Sequence, residues 1–589
     1  MAFGWADYLV CILVLIVSSV IGIYYRFTGD KQRTNKEFLL ANNDANMWAV
    51  GCSLMATFMS SITILGVSSE IYTYGIQFVV INISYGIFTP LAAHLYLPVF
   101  FKLRSTSAYE YLERRFGIVT RLVASLAFSI QMILYMGIVV YAPALALEAV
   151  TGVGHVYAVL IIGIVCTFYA GLGGMKAVLM TDVFQSLLMF AAVFCVIVSA
   201  LLATGFTRVM DIAAEHGRLD ILNFDIDPTV RHTWWSLGIG GGFTFLSLYA
   251  VNQAQVQRYL SVKDLRTAQK SLYLNWPILS LLSISTCMAG LCIFSKYYDC
   301  DPVLTKRISS ADQLMPRYVL DTMGNIPGLS GLFVAGIFSG SLSTVSSALN
   351  SLSAVTVEDY LKPVFKRLKG HSLDESTAVI YTKVISVIYG GCCLAVAFIA
   401  KYLGAVLQAA LTIFGVVGGP VLATFTLGMF IPFGNEVGSL AGLATGLSLG
   451  FWLGFGGPKP PLPVLDRWSS KEGCEEYSDI TINKFVNSTT PKYNPSDFLY
   501  IYRLSYQWYI VISFFITLVT GVLFSWVGSK VTHQADLHHP DLFIPPVARF
   551  LEKKRRFLDV NVNDTGSQNS GVTLKGISMM DEDGVKNRE

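Results

Sequence analysis

From Phe338 to Ser353 the chain reads FSGSLSTVSSALNSLS, placing seven serines, a threonine and an asparagine in a run otherwise apolar enough to cross a membrane. A hydroxyl without a partner in hydrocarbon is costly, so such a cluster points to an oxygen-rich site inside the protein. At helical spacing Ser339, Ser343, Ser346 and Asn350 share one stripe, and Thr344, Ser347 and Ser351 form the adjoining one. Uncharged oxygens so gathered suit a small hard cation. The competing reading is local: each hydroxyl bonds the carbonyl one turn back or packs on a neighbouring helix.

Three further polar groups lie in apolar runs. The stretch 47–69 is interrupted by Ser53, Thr57, Ser60, Ser61 and Thr63 and carries Gly51 and Gly66. A helix of that kind either unwinds at mid-depth, freeing carbonyls that bind sodium, or stays continuous with small residues for close packing. The stretch YAVNQAQVQRYL sets Asn252, Gln253, Gln255 and Gln257 close together, as ligands for a carboxylate, ureido or hydroxyl group or as interhelical hydrogen bonds. Asp182, after the Gly-rich GLGGMKA turn, either caps a helix start or helps a cation leave, with capping favoured. His94 reads as a packed, hydrogen-bonded histidine.

The elements that must hold these groups are membrane helices. Of the 589 residues 53% are hydrophobic and 14% charged, far from the balance of soluble proteins. Thirteen apolar runs predict spans near 8–25, 47–69, 76–100, 122–142, 155–174, 181–204, 237–257, 271–295, 329–357, 376–400, 404–430, 435–455 and 505–528. In 435–455 a glycine recurs every fourth residue from Gly438 to Gly454, which predicts a packing face. Its Gly446–Gly450 match to G-x-S-x-G is not a hydrolase elbow, because a membrane helix supplies neither the strand-to-helix turn nor the His and acid partners. No Walker A, HExxH or Cys-x-x-Cys pattern occurs, so an enzyme and coupling to ATP within this chain are not expected.

Basic residues cluster in four short links: Arg26, Lys31, Arg33 and Lys36; Lys102, Arg104, Arg114, Arg115 and Arg121; Arg258, Lys263, Arg266 and Lys270; Lys362, Lys366, Arg367 and Lys369. All lie on one side of a thirteen-span count, which predicts an extracellular N-terminus and a cytoplasmic tail. The tail's run Lys553–Arg556 either rests on anionic lipid or is a solvated charge run. The sequon at Asn487 falls in the outside loop 456–500 and is a glycosylation candidate. Cys300 and Cys474 lie in predicted extracellular loops, either paired or as free thiols. The first apolar run lacks a basic n-region and an A-x-A site, so it is expected to remain as a span.

The runs FSGSLSTVSSALNSLSAVTVEDYLKP, SLYAVNQAQVQRYL, TSAYEYLERRFG, YMGIVVYAPALALEAVTG and GLGGMKAVLMTDVFQ resemble the solute:sodium symporter family and stand in that family's order. The resemblance implies an all-α polytopic protein with a LeuT-like core of two inverted five-helix repeats whose first helices, spans 2 and 7, are broken. It divides the chain into 1–46, 47–204, 205–430, 431–528 and the tail 529–589. It implies a principal sodium site from the carbonyls of Ala56, Met59 and Gly340 and the hydroxyls of Ser343 and Thr344. A second would map to Ser60, Thr63 and Tyr135. The substrate cavity would take Thr63, Tyr135, Phe245, Asn252, Gln408 and Leu411, with Asp182 on the sodium exit. The function implied is plasma-membrane import of a small organic anion with sodium, of vitamin type such as biotin, pantothenate or lipoate. Short monocarboxylates and iodide are the alternatives, and a sodium channel or sensor on the same fold a further one. Sodium, the anion and the bilayer are the expected partners; no cofactor and no nucleic acid are expected.

Overall fold

The computed structural model describes residues 3–27, 39–172, 174–470, 473–474, 486–488, 494–532 and 539–564. Among the described residues ten helices are long and apolar enough to cross a membrane, or eleven with one bent pair counted as a span. The long helices are α1 (Trp5–Phe27), α4 (Ile76–Leu103), α5 (Ile118–Thr151), α7 (Met175–Ala203), α10 (Leu265–Tyr297), α11 (Leu329–Lys369), α12 (Glu375–Ala400), α13 (Val406–Phe430), α14 (Glu436–Phe455) and α15 (Trp508–Thr532). The bent pair is α2 (Met47–Phe58) and α3 (Thr63–Tyr74), which turn by 61° at their break. Two expected spans fall short of that measure: α6 (His155–Leu172), and the interrupted pair α8 (Gly241–Tyr249) and α9 (Gln253–Tyr259). The expected count of thirteen is therefore not reached by length and apolarity alone.

The all-helical polytopic class holds. Each of two successive five-element runs, one from α2 and one from α8, opens on a broken helix, the feature around which transporters of this kind build their sites. Asn252 explains the second break: its extended backbone (φ −68°, ψ 131°) ends α8, and its side chain accepts the Ala254 N–H to start α9. The glycine stripe packs α14 on α15, as expected from its spacing. A Cβ at Gly442 would stand 2.5 Å from Thr517 O, so only hydrogen lets the backbones approach.

Two features brace the ends of the bundle. Cys300 and Cys474 form a disulfide with Cα atoms 5.2 Å apart, beside the two-stranded ribbon of β1 (Arg467–Ser469) and β2 (Val486–Ser488), where Asn487 pairs with Trp468. At the opposite end the segment before α16 (Pro545–Asp564) clasps the bundle. Tyr111 Oη donates to Leu542 O at 3.0 Å, Ile544 N–H to Met429 O at 3.2 Å, and Lys102 pairs with Asp541 at 2.8 Å. Lys31, Arg33 and Lys36, the Arg556 side chain and the tail beyond Asp564 lie outside the described residues.

Candidate functional site

Helix α2 ends because Met59 leaves helical backbone (φ −79°, ψ 90°), and a helix end leaves its last carbonyls without intrahelical partners. Ala56 O is met by α11: Ser343 Oγ donates to it at 3.1 Å and Thr344 Oγ1 at 3.3 Å. Thr344 also reaches Gly340 O at 2.9 Å, and a Cβ on Gly340 would stand 3.0 Å from Ser61 N. Glycine there lets α11 close on the break. Ala56, Gly340, Ser343 and Thr344 thus form one buried, oxygen-lined junction, with Met59 at the break itself. Ser60, Thr63 and Tyr135 gather around the same break. Ser60 Oγ accepts the Ile62 N–H at 3.1 Å, Thr63 N–H donates to Ser60 O at 3.0 Å, and Tyr135 Oη donates to Phe58 O at 3.4 Å.

The remaining hydroxyls of α11 follow the local reading only in part: Ser339 Oγ is buried with no hydrogen-bond partner among the described residues, and Ser347 Oγ accepts from Arg258. Ser346 and Ser351 bond backbone carbonyls of their own helix, whereas Ser341 crosses to Ser61 Oγ at 2.6 Å and Val139 O at 3.0 Å.

Asp182 and Arg258 are where sequence reading fails. Asp182 does not cap α7, which begins at Met175; it sits inside the helix, fully buried, and Ser343 Oγ donates to its Oδ1 at 2.6 Å. Its Oδ2 takes Ser53 Oγ and, at 3.3 Å, Arg258 Nη2. Arg258, grouped above with a basic link, is itself wholly buried in α9. Its Nε donates to Ser53 Oγ at 2.7 Å, its Nη1 to Ala254 O at 2.7 Å, and Nη2 also to Ser347 Oγ. The available signal was Asp182 itself: an acid within an apolar span demands a partner, and a basic residue ending a polar half-helix is one. The three glutamines of α9 bind neighbouring backbone: Gln253 at Thr106 O and the Ala108 N–H, Gln255 at Leu54 O, Gln257 at Leu39 O. His94 bonds Tyr273 Oη at 3.1 Å but is exposed on the bundle surface rather than packed.

Beside the break lies a cavity between α2, α3, α5, α8 and α13. Phe58, Thr63, Tyr135, Tyr249, Ser283 and Leu411 are among its walls, and no charged side chain is among its described lining residues. Of the six expected cavity residues, Thr63, Tyr135 and Leu411 line it. Phe245 stands behind the wall, its ring stacked on Tyr249 at 4.6 Å. Asn252 is occupied as the α9 cap, and Gln408 Oε1 accepts Arg231 Nη1 at 2.9 Å.

That Arg231 belongs to a second ionic cluster. Its Nε and Nη2 grip both oxygens of Glu70 on α3, at 2.6 and 3.0 Å, while Nη1 holds Gln408 on α13. The guanidinium lies over the rings of Tyr74 at 4.1 Å and Tyr506 at 4.9 Å. His232 Nε2 lies 3.0 Å from Tyr506 Oη and 3.1 Å from Glu70 Oε1. Burial pushes the His232 imidazole below its ordinary value against the pull of Glu70, so at pH 7 the ring is neutral.

A bundle with two broken helices, a buried hydroxyl junction at one break and an uncharged cavity beside it defines a sodium-coupled transporter of the membrane, and the chain belongs to the sodium:solute symporter family, whose model matches residues 38–446. Among its relatives, a putative sodium-dependent multivitamin transporter of Drosophila melanogaster is 51% identical over 583 residues, covering 97% of this chain and 96% of that one. The sodium-coupled monocarboxylate transporter 1 of Homo sapiens is 44% identical, covering 88% and 86%. The fold is shared with a Na+-coupled sialic acid symporter solved in a substrate-bound outward-open state, with a TM-score of 0.71, 23% identity, and coverage of 89% of this chain and 98% of that one.

Proposed function

We propose that the chain imports a small organic anion of vitamin type, such as biotin, pantothenate or lipoate, with sodium by alternating access across the plasma membrane. The observation that carries this reading is the meeting of Ala56 O with the hydroxyls of Ser343 and Thr344 at the helix break beside the cavity. Sodium held by Ala56, Met59, Gly340, Ser343 and Thr344 joins α2 to α11 and so shapes the cavity wall. Ser60, Thr63 and Tyr135 are the candidates for a second sodium. Because the cavity walls carry no charge, the solute's carboxylate is offset by bound sodium or by helix N–H groups. With roughly tenfold more sodium outside and about 70 mV negative inside, each ion supplies about 3 kcal/mol toward accumulation.

Vitamin-type anions are favoured because the cavity is aromatic-walled, with Phe58, Phe78, Tyr85, Tyr135, Tyr249 and Phe414 among its residues, and because of the 51% identity to a putative multivitamin transporter. A short monocarboxylate is the second reading, supported by the 44% identity to a monocarboxylate transporter. The disulfide between Cys300 and Cys474 supports an extracellular placement of their loops, since disulfides persist in oxidising compartments. We infer from that placement an extracellular N-terminus and a cytoplasmic tail and propose Asn487 as a glycosylation site; Asp182, bonded to Ser343, is proposed as a station on the inward sodium path. Repeat boundaries at 47–204 and 205–430 follow the two broken helices.

The test is tracer uptake of biotin and pantothenate with and without external sodium, with lactate and iodide as competitors. Sodium-dependent accumulation above equilibrium is expected. Uptake indifferent to sodium overturns the coupling, conduction without accumulation makes the chain a channel, and preferential competition by lactate selects the monocarboxylate reading.

A further inference from the structure

Asp312 lies in the short turn Ala311–Gln313 between α10 and α11, and it is 2% exposed. Its Oδ2 accepts the Val406 N–H, at the start of α13, at 3.2 Å and the Ser310 hydroxyl at 3.3 Å; its Oδ1 has no partner. Most other buried acids hold a cation: Glu70 has Arg231, Asp182 has Arg258, Asp301 has Arg467 and Asp359 has Arg121, while Asp7 has each of its two oxygens filled by a backbone N–H, from Gly4 and Gly331. Among the described residues Asp312 has no cation. A buried ionised carboxylate with an orphan oxygen and no counter-charge is costly, and a proton on that oxygen removes the cost.

The turn packs against α3 and α5 and the helix Leu314–Met323, and through Val406 it touches α13. The charged and titratable groups on these elements are committed elsewhere. Glu70 on α3 is held by Arg231 and His232; Tyr72 on α3 donates to Asp301, and Tyr74 lies under Arg231. On α5, Tyr141 faces Asp312 but is uncharged, and its ring packs on His155, which in turn contacts Glu148. Arg317 and Asp321 pair with each other, and Arg307 also binds Asp321. None of these pairs supplies Asp312 with a cation.

We propose that Asp312 is a proton-binding site, filled when the outer side of the cavity is closed and emptied into external water when it opens. The coupling is geometric: Arg231 ties Glu70 on α3 to Gln408 on α13, and Asp312 is wedged against the same two helices. Parting them to admit a solute also exposes the carboxylate. Burial raises Asp312 to about 6 in this structure; the Val406 N–H and Ser310 hydroxyl lower it and Glu70 raises it further. In open water it returns to about 4. A carboxyl raised in the closed form favours closure at low pH, and this contribution is lost as pH rises through about 6. Between external pH 7.5 and 5.5 the closing equilibrium is therefore expected to gain about fourfold.

This inference rests on alternating access but on no particular solute. The test labels a cysteine placed at Leu411, on the cavity wall, with a membrane-impermeant thiol reagent, in the full chain in cells. Each measurement is a ratio to the same protein carrying Asp312→Asn, so the reagent's own pH dependence cancels. The wild-type to Asp312→Asn ratio of labelling rates is expected to fall about fourfold from pH 7.5 to 5.5. A ratio constant with pH overturns the proposal. Should Asp312→Asn not reach the surface, Ser310→Ala replaces it: loss of that hydroxyl shifts the fall to higher pH, and an unshifted profile overturns the proposal equally. Because labelling needs neither uptake nor sodium, failure of the solute assignment leaves this result readable.

Discussion

Two buried arginine–carboxylate pairs flank the helix breaks, one on α3 that the proposed orientation puts at the outer end and one on α7 that it puts at the inner end, and they are built differently. At the outer end Arg231 makes a two-pronged fork on Glu70, with each oxygen taken by its own nitrogen and aromatic rings beside the guanidinium. At the inner end Arg258 touches one oxygen of Asp182 at 3.3 Å, and hydroxyls of Ser53, Ser343 and Ser347 fill the remaining positions. A fork is self-sufficient, whereas a pair completed by hydroxyls depends on whatever else those hydroxyls bind. Ser343 serves both Asp182 and Ala56 O, so the inner pair is wired to the proposed sodium junction and the outer one is not. Sodium occupancy is thereby legible to the inner end alone.

Breaking the inner pair has the largest expected effect. Arg258→Ala strands a fully buried carboxylate, at a cost of about 3–5 kcal/mol, and is expected to keep the protein from the cell surface. Adding Asp182→Asn to that variant restores surface delivery, measured by surface biotinylation; no restoration refutes the pairing. At the outer end Arg231→Lys retains charge but loses the fork, so labelling of a cavity cysteine from outside is expected to rise about tenfold, for a loss of about 1.4 kcal/mol. Ser343→Ala is expected to raise the half-saturating sodium concentration of uptake about tenfold at normal surface expression; an unchanged value removes Ser343 from the site. The mildest is Asn252→Ala. As a lost helix cap worth about 1 kcal/mol it should weaken solute and sodium alike, and a selective loss of solute affinity returns Asn252 to the cavity wall.

The contrast also marks how far the sequence could be read. The α2 break was legible because Ser53, Thr57, Ser60 and Ser61 interrupt an apolar run, and the α14 packing face because glycine recurs at one helical spacing. The hydroxyl junction on α11 was visible as composition, the family resemblance singled out Ser343 and Thr344, and the place of Ser347 beside Arg258 emerges only from which helices lie opposite. Arginine positions were misread for a physical reason. A basic residue just past an apolar run looks the same whether the chain leaves the membrane there or, like α9, tucks back beneath its neighbour. Arg231 escaped notice altogether, because its partners Glu70 and Gln408 lie 161 and 177 positions away along the chain. Asn252 carried a readable sign that was given a different meaning: an asparagine directly before a short helical run is first of all a cap.

The clasp before α16 offers a practical instrument. Leu542 and Ile544 bond Tyr111, between α4 and α5, and Met429, near the end of α13, so one short peptide touches both five-element runs. A fluorophore inserted after Asp564 would ride on that peptide and report rearrangement at this end in real time. Tyr111→Phe, which removes the hydrogen bond to Leu542 O, would loosen that peptide and dampen the same reporter.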